Sequence, residues 1–332
     1  MRWTRRRLGI TLLGVMGIAI AAVPFLTDDR YLLKVLTFVG VNAIVVAGLA
    51  LLFGYAGQIS LGHAAFFGLG AYMSAYLTTT HQTPWLLAVL AGTGIAAAGG
   101  LLLALPSLRL KGHYLAMATL GFNEIMSVLF VELRGITGGN NGLSGIPFPS
   151  IGSFVIDTPA GIYLLVWGVA ALAFLGAANL VRTRPGRAMR ALHGSELGAV
   201  ASGVDTTRLK VQVFALSAAL AGLAGALYAH AVGFISPTQF SLEFSILLVA
   251  MVVVGGTGSL VGPFFAAVVL TLLQYVHALI PGLGNDVASV IQDWEVDISG
   301  MVMILTVIFL PGGFAALVRR KRIGVAVDGE TV

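Results

Sequence analysis

The chain has 332 residues, of which 58% are hydrophobic and 10% charged, with a mean hydropathy of +0.95; an ordinary soluble domain carries about 25% charged residues. No single soluble core absorbs that much apolar surface, so composition points to lipid as the solvent. The net charge of +5 does not indicate nucleic acid, because the basic residues gather at the ends of apolar spans, and the lack of cysteine excludes disulfides, zinc-thiolate sites, iron–sulfur clusters and thiol nucleophiles.

Taken in chain order, Arg5, Arg6 and Arg7 precede a first apolar span, Leu8 to Leu26. At 19 residues it exceeds the usual length of a cleaved signal core, so a retained helix is expected. The second span, Val35 to Phe53, runs into a break rich in glycine and polar side chains, Gly54 to His63, which holds Gly57, Ser60, Gly62 and His63. Spans follow at Leu61 to Leu77, Trp85 to Pro106 and His113 to Val131. The last of these contains Asn123 and Glu124, and an ionisable residue there is expected to face the bundle interior, either for function or for a structural hydrogen bond.

Next comes a loop expected on the outside, Arg134 to Pro147, whose Thr137, Gly138, Gly139, Asn140, Asn141 and Gly142 favour positive φ and exposed amides. It reads either as a docking surface or as a compact turn. After the span Gly161 to Val181, the longest internal connection runs from Arg182 to Lys210, including Arg187 and Arg190. Within it Ser195 is placed to cap a short helix, Glu196 to Ser202, that passes through Ala199 and that Gly203 ends. The span Val211 to Val232 and a short one, Phe244 to Val254 starting nearer Ser241, lead to a second glycine break, Gly255 to Pro263, with Gly258 and Ser259. Both breaks are followed by Phe-Phe. Such paired breaks read either as non-helical backbone along a water-lined pathway or as tight turns between hairpin helices. Spans at Ser259 to His277 and Ile298 to Phe314 complete the series.

The expectation is therefore an all-α polytopic membrane protein of about ten transmembrane helices, with glycine-interrupted helices near the centre. Residues 1–317 form one membrane domain with the internal loop 182–210, and 318–332 a C-terminal tail. With both termini cytoplasmic, 16 of the 19 Lys and Arg residues lie inside and only Arg30, Lys34 and Arg134 outside, which is the positive-inside arrangement. No His/Glu spacing resembles a metal site, and no paired carboxylates or nucleophile appear at helical spacing, so neither catalysis nor a cofactor is expected.

Five ordered segments carry a family resemblance: Gly57-Gln-Ile-Ser60-Leu-Gly62-His63 through Phe66, Ala118-Thr-Leu-Gly-Phe-Asn-Glu124-Ile125, Thr137 to Leu143, Arg187-Ala-Met-Arg190-Ala191 through Glu196 and Gly203, and Gly255-Gly-Thr-Gly258-Ser259. Together they resemble the branched-chain amino acid ABC transporter permeases, the larger of the two permease subunits. The departures are Asn140-Asn141, where the family often has a small residue and Asp, and Gly198, where alanine is more usual. The resemblance implies a multi-pass protein of the bacterial inner membrane that pairs with a second permease. It also implies two cytoplasmic ATPases and an extracytoplasmic substrate-binding protein. Arg187, Arg190, Glu196, Ala199 and Gly203 would couple to an ATPase, while Gly57, Ser60, Gly62, His63, Glu124, Gly258 and Ser259 would serve the pathway. No lysine follows a glycine, so the chain carries no Gly-x-x-x-x-Gly-Lys-Ser/Thr loop and the motor must be another polypeptide. Two alternatives remain open at this point: a permease for urea, short amides or sugars, and an ion-coupled secondary transporter, for which Glu124 is the one clear coupling group.

Overall fold

A computed structural model describes residues 22–275, apart from Phe25, Asp28, Arg109, Lys111 and Ser153, together with residues 300 and 301. Most of the expected first span, nearly all of the tenth, and the tail 318–332 lie outside the described residues.

The second to ninth expected spans each fall on a helix. Helix α1 (Arg30–Leu49) starts where the Asp29 carboxylate accepts hydrogen bonds from the N–H groups of Tyr31 and Leu32. It continues into a π-helical segment, Ala50–Tyr55. There follow α2 (His63–Thr80), α3 (Trp85–Ser107), α4 (His113–Glu132), the single turn α5 (Arg134–Thr137) and α6 (Pro159–Arg182). A hairpin of α7 (Arg184–Gly194) and α8 (Glu196–Ala201) leads to α9 (Thr206–Val232), α10 (Leu242–Gly255) and α11 (Val261–Gln274). Six stretches among the described residues are long and apolar enough to cross a bilayer: Arg30–Tyr55, Trp85–Pro106, His113–Glu132, Pro159–Arg182, Thr206–Val232 and Pro237–Gly255. Helices α2 and α11 are shorter, at 18 and 14 residues, and lie largely within the bundle.

One boundary moves for a physical reason. The Asp205 carboxylate accepts from Arg208 N–H, so α9 starts at Thr206, before the polar residues that made Val211 look like the beginning of the span. Helix α10 does begin next to Ser241, after a 3₁₀ turn at Pro237–Phe240.

Helix α1 runs through the middle of the bundle against α6, α9 and α11, and nearly all of it from Val39 to Leu52 is buried. Without water to drive helices together, membrane helices associate where small residues let backbones approach. This is how α2, α3 and α9 meet: a Cβ on Gly70 would collide with the backbone of Gly222, one on Gly225 with that of Phe67, and one on Gly92 would lie 2.6 Å from the Gly70 carbonyl oxygen. The indole N–H of Trp167 donates to the Leu36 carbonyl (3.0 Å), tying α6 to α1.

The bundle has two ends. One carries the α7–α8 hairpin with Arg182, Arg184, Arg187, Arg190, Arg208 and Lys210. The other carries Glu132, Arg134, Asp157 and Glu243, with two short antiparallel pairings: β1 (Leu143–Ser144) with β4 (Phe234–Ile235), and β2 (Ser150–Ile151) with β3 (Phe154–Val155). Of the basic residues that the charge count put inside, these six are described, and they flank the hairpin.

Candidate functional site

The first glycine break starts where α1 loosens. Ala56 N–H donates to the carbonyl of Leu51, the five-residue spacing of a π-helix, a form that collects at functional sites, and Gln58 N–H closes the segment on the Leu52 carbonyl six residues back. Gly57 then turns the chain with φ +70, a conformation open to glycine. From Gln58 to Gly62 the backbone is not helical, and α2 starts at His63.

That start is deep in the bundle. His63 Nε2 lies 2.7 Å from the hydroxyl of Ser217, the twelfth of 27 residues in α9, and Ala65 N–H donates to Oδ1 of Asn123, the eleventh of 20 in α4 (3.1 Å). Both partners are in the middle of their helices, so the His63 end of the break lies inside the bundle. Backbone there must be satisfied by protein, and side chains of neighbouring helices do so. Leu61 N–H donates to Thr119 Oγ1 (2.8 Å), and Ala64 N–H to Ser245 Oγ (2.9 Å). Ser60 Oγ lies 3.0 Å from His63 Nδ1 and accepts from Gly62 N–H (3.4 Å). A neutral imidazole donates through one nitrogen and accepts through the other, so His63 links the two serines. Ser60, His63, Thr119, Asn123, Ser217 and Ser245 are all completely buried. Thr119, Asn123, Ser217 and Ser245 were not singled out from sequence as members of this node; Thr119 and Ser217 carry the signal of a lone polar residue within an apolar span, whereas Asn123 stands beside Glu124 and Ser245 near the start of α10.

The second break meets the first backbone to backbone, Gly258 N–H donating to the Gly54 carbonyl (3.1 Å). Ser259 caps α11 by accepting from Val261 and Gly262 N–H, and it is half-buried. The structure thus brings Gly258 to the π segment and gathers Ser60, Gly62 and His63 at the start of α2. Glu124 joins neither group.

Glu124 is a correction. The expectation that it faces the bundle interior fails: it is exposed on the outer side of α4, one position along the helix from buried Asn123. At 100° per residue that single step carries the side chain out of the core. A bare carboxylate facing lipid at mid-span costs about 3 kcal/mol.

At the opposite side of the break, Gly57 touches the α7–α8 hairpin. A Cβ there would lie 2.9 Å from His193 Nδ1. A cavity of about 120 Å³ separates the break from the hairpin, lined by Gly57, Gln58, Gly112, Leu192, Glu196 and Lys210. Ser195 Oγ accepts from Gly198 N–H and caps α8, and Gly203 follows with φ +78, as the sequence implied. Within the hairpin, Glu196 forms an ion pair with Lys210, Ala199 is buried, and Arg190 donates to the Val181 carbonyl (3.0 Å). These residues hold the hairpin to the bundle. The side chains offered outward are Leu197 and Val200, 81% and 55% exposed, a pair that composition gave no reason to single out.

At the other end, the loop from Thr137 is a compact turn. Thr137 Oγ1 donates to the Leu133 carbonyl and accepts from Gly139 N–H, Gly138 adopts φ +74, and Gly142 packs against the carbonyl of Ile235. Asn140 and Asn141 project from it, exposed. Among the described residues, no group of three or more His, Asp or Glu side chains could hold a metal ion.

The chain is similar to permeases of transport systems. It is 32% identical to the high-affinity branched-chain amino acid transport system permease protein LivM of Salmonella typhimurium, over 93% of this chain and 75% of the relative. It is 31% identical to the protein of the same name in Escherichia coli strain K12, over 89% and 72%. Likeness extends more weakly to the ribose import permease protein RbsC of Escherichia coli strain K12, 27% identical over 90% and 91%. No solved structure matches. The family described as the branched-chain amino acid transport system / permease component matches residues 31–307, and with the polytopic bundle and broken helices above, the chain belongs to that family.

Proposed function

We infer that this chain is the membrane-spanning, non-catalytic subunit of an ATP-driven importer for branched-chain or related amino acids. It works beside a second permease, two ATP-binding-cassette ATPases and an extracytoplasmic binding protein. The observation that carries this reading is the α7–α8 hairpin: it offers Leu197 and Val200 outward while its inner side touches Gly57 of the broken helix. The two exposed apolar residues fit a groove on an ATPase. When the ATPases close on ATP, the hairpin moves and pushes on the π segment and the start of α2. Arg187, Arg190, Glu196, Ala199 and Gly203 keep the hairpin stiff enough to transmit that motion.

The hairpin end is the cytoplasmic one, which puts both termini inside in a ten-helix chain, and Asn140 and Asn141 face the binding protein. Gly57, Ser60, Gly62 and His63 form the moving part of the gate, with Gly258 and Ser259 as its counterpart. Glu124 faces the pathway itself. The chain needs no cofactor of its own.

The test is to replace both outward residues, Leu197→Asp with Val200→Asp, and reconstitute the complex with its binding protein in proteoliposomes. ATP-driven leucine uptake is expected to fall at least tenfold, with loss of the ATPases from the purified complex. Undiminished uptake would remove the docking role. Leucine accumulation by this chain in liposomes lacking any ATPase would overturn the importer reading in favour of an ion-coupled carrier. Ribose in place of leucine tests the wider family's cargo.

A further inference from the structure

The outward faces of the bundle are not alike. Along α3 the exposed side chains include Leu86, Leu90, Leu102 and Leu105, and along α6 they include Leu164, Leu172 and Leu175, the aliphatic surface that lipid requires. On α4 the exposed side chains include Tyr114, Met117, Glu124, Ile125, Val128 and Leu129, with Gly121 half-buried among them. Glu124 is the twelfth of the 20 residues in α4. Every other Asp, Glu, Lys or Arg in the membrane-length helices, among the described residues, lies within five residues of a helix end. A carboxylate held at mid-span must meet a positive charge or water. One turn before it, Gly121 has nothing within 4 Å of where a Cβ would stand, as is also true of Gly94 on α3 and of Gly168 and Gly176 on α6, and here the open space lies beside the carboxylate. Met117 and Val128 give that space apolar flanks, and methionine adapts to varied apolar shapes.

The geometry points to Glu124 as the group that takes the ammonium end of an amino acid cargo, on a face of α4 that a second permease covers in the assembled transporter. This rests on the permease reading. A negative charge between apolar flanks matches a ligand with an ammonium group and an aliphatic side chain, and the partner permease closes the wall that lipid would otherwise occupy. A neutral sugar gains nothing from the charge.

Two measurements on the assembled complex test it. Glu124→Gln keeps the size and removes the charge: leucine uptake is expected to fall at least tenfold with the second permease still bound, and Glu124→Asp to recover part of it. Uptake at the wild-type level in E124Q, or loss of the second permease from the E124Q complex, would overturn the assignment, the latter by making Glu124 half of an ion pair between subunits. Because the chain has no cysteine, Met117→Cys and Val128→Cys each carry a single label. Both are expected to cross-link to the second permease or to react with a charged, membrane-impermeant thiol reagent. Reaction only with a lipid-soluble maleimide would mark the face as lipid-exposed and sink the proposal. A wild-type complex that accumulates no cargo on ATP would instead refute the importer reading, and the labelling would still report what covers α4.

Discussion

His63 is the residue on which the broken helix depends, because it answers hydroxyls on two different elements, Ser60 of the break and Ser217 of α9, in a region closed to solvent. Interhelical hydrogen bonds in membrane bundles contribute roughly 0.6–2 kcal/mol each. Ser217→Ala is therefore expected to destabilise by about 1 kcal/mol, read as a drop in the thermal unfolding midpoint of the detergent-solubilised complex. His63→Ala removes both links and leaves a void, for about 2–4 kcal/mol. Equal midpoints for H63A and the wild type would mean that the node does not hold the start of α2. Asn123 shows why residue roles here escape a reading by type. Its Oδ1 accepts from Ala65 N–H and from the Ser245 hydroxyl, while Glu124, the next residue and the more conspicuous one in sequence, points away from the same node.

At the scale of elements, the contact that matters is between the π segment with its Gly57 turn and the α7–α8 hairpin. Gly57 serves two ends there: its φ of +70 costs an L-residue about 1–2 kcal/mol, and its bare Cα lets His193 approach. Gly57→Ala is expected to cut ATP-driven uptake several-fold. Adding His193→Ala should restore part of it, since the double variant removes the collision and keeps only the backbone strain. If the double variant is no better than G57A alone, the hairpin and the break are not coupled through this contact. The short helix α8 is one and a half turns long and depends on its Ser195 cap and on the Glu196–Lys210 ion pair at its base. A helix that short has no stability of its own, so its position is set by what pins it.

For the molecule as a whole, the two ends differ in charge and in form, a basic hairpin at one and glycine-rich turns with short strand pairs at the other. Single cysteines in this cysteine-free chain test which end is which: Asn141→Cys is expected to react with an impermeant thiol reagent added to intact cells, and Leu197→Cys only after the membrane is opened. The reverse pattern would invert the topology. The membrane character of the chain, the helices from Val35 to Tyr275 and the Ser195 cap were legible in the amino-acid sequence, because apolar length and capping residues act locally along the chain. What depended on the tertiary structure was depth and direction. That the His63 end of the first break lies inside the bundle follows from Ser217 and Asn123, residues 154 and 58 positions away from the groups they bind, and no local pattern reports such a pairing. That Glu124 faces outward while Asn123 faces inward depends on the rotation of α4 about its axis, which neighbouring helices set through packing. Leu197 and Val200 came to notice only once the hairpin had turned Glu196 and Ala199 inward. Local chemistry determined which segments enter the membrane, and packing between distant segments decided which of their side chains are available for work.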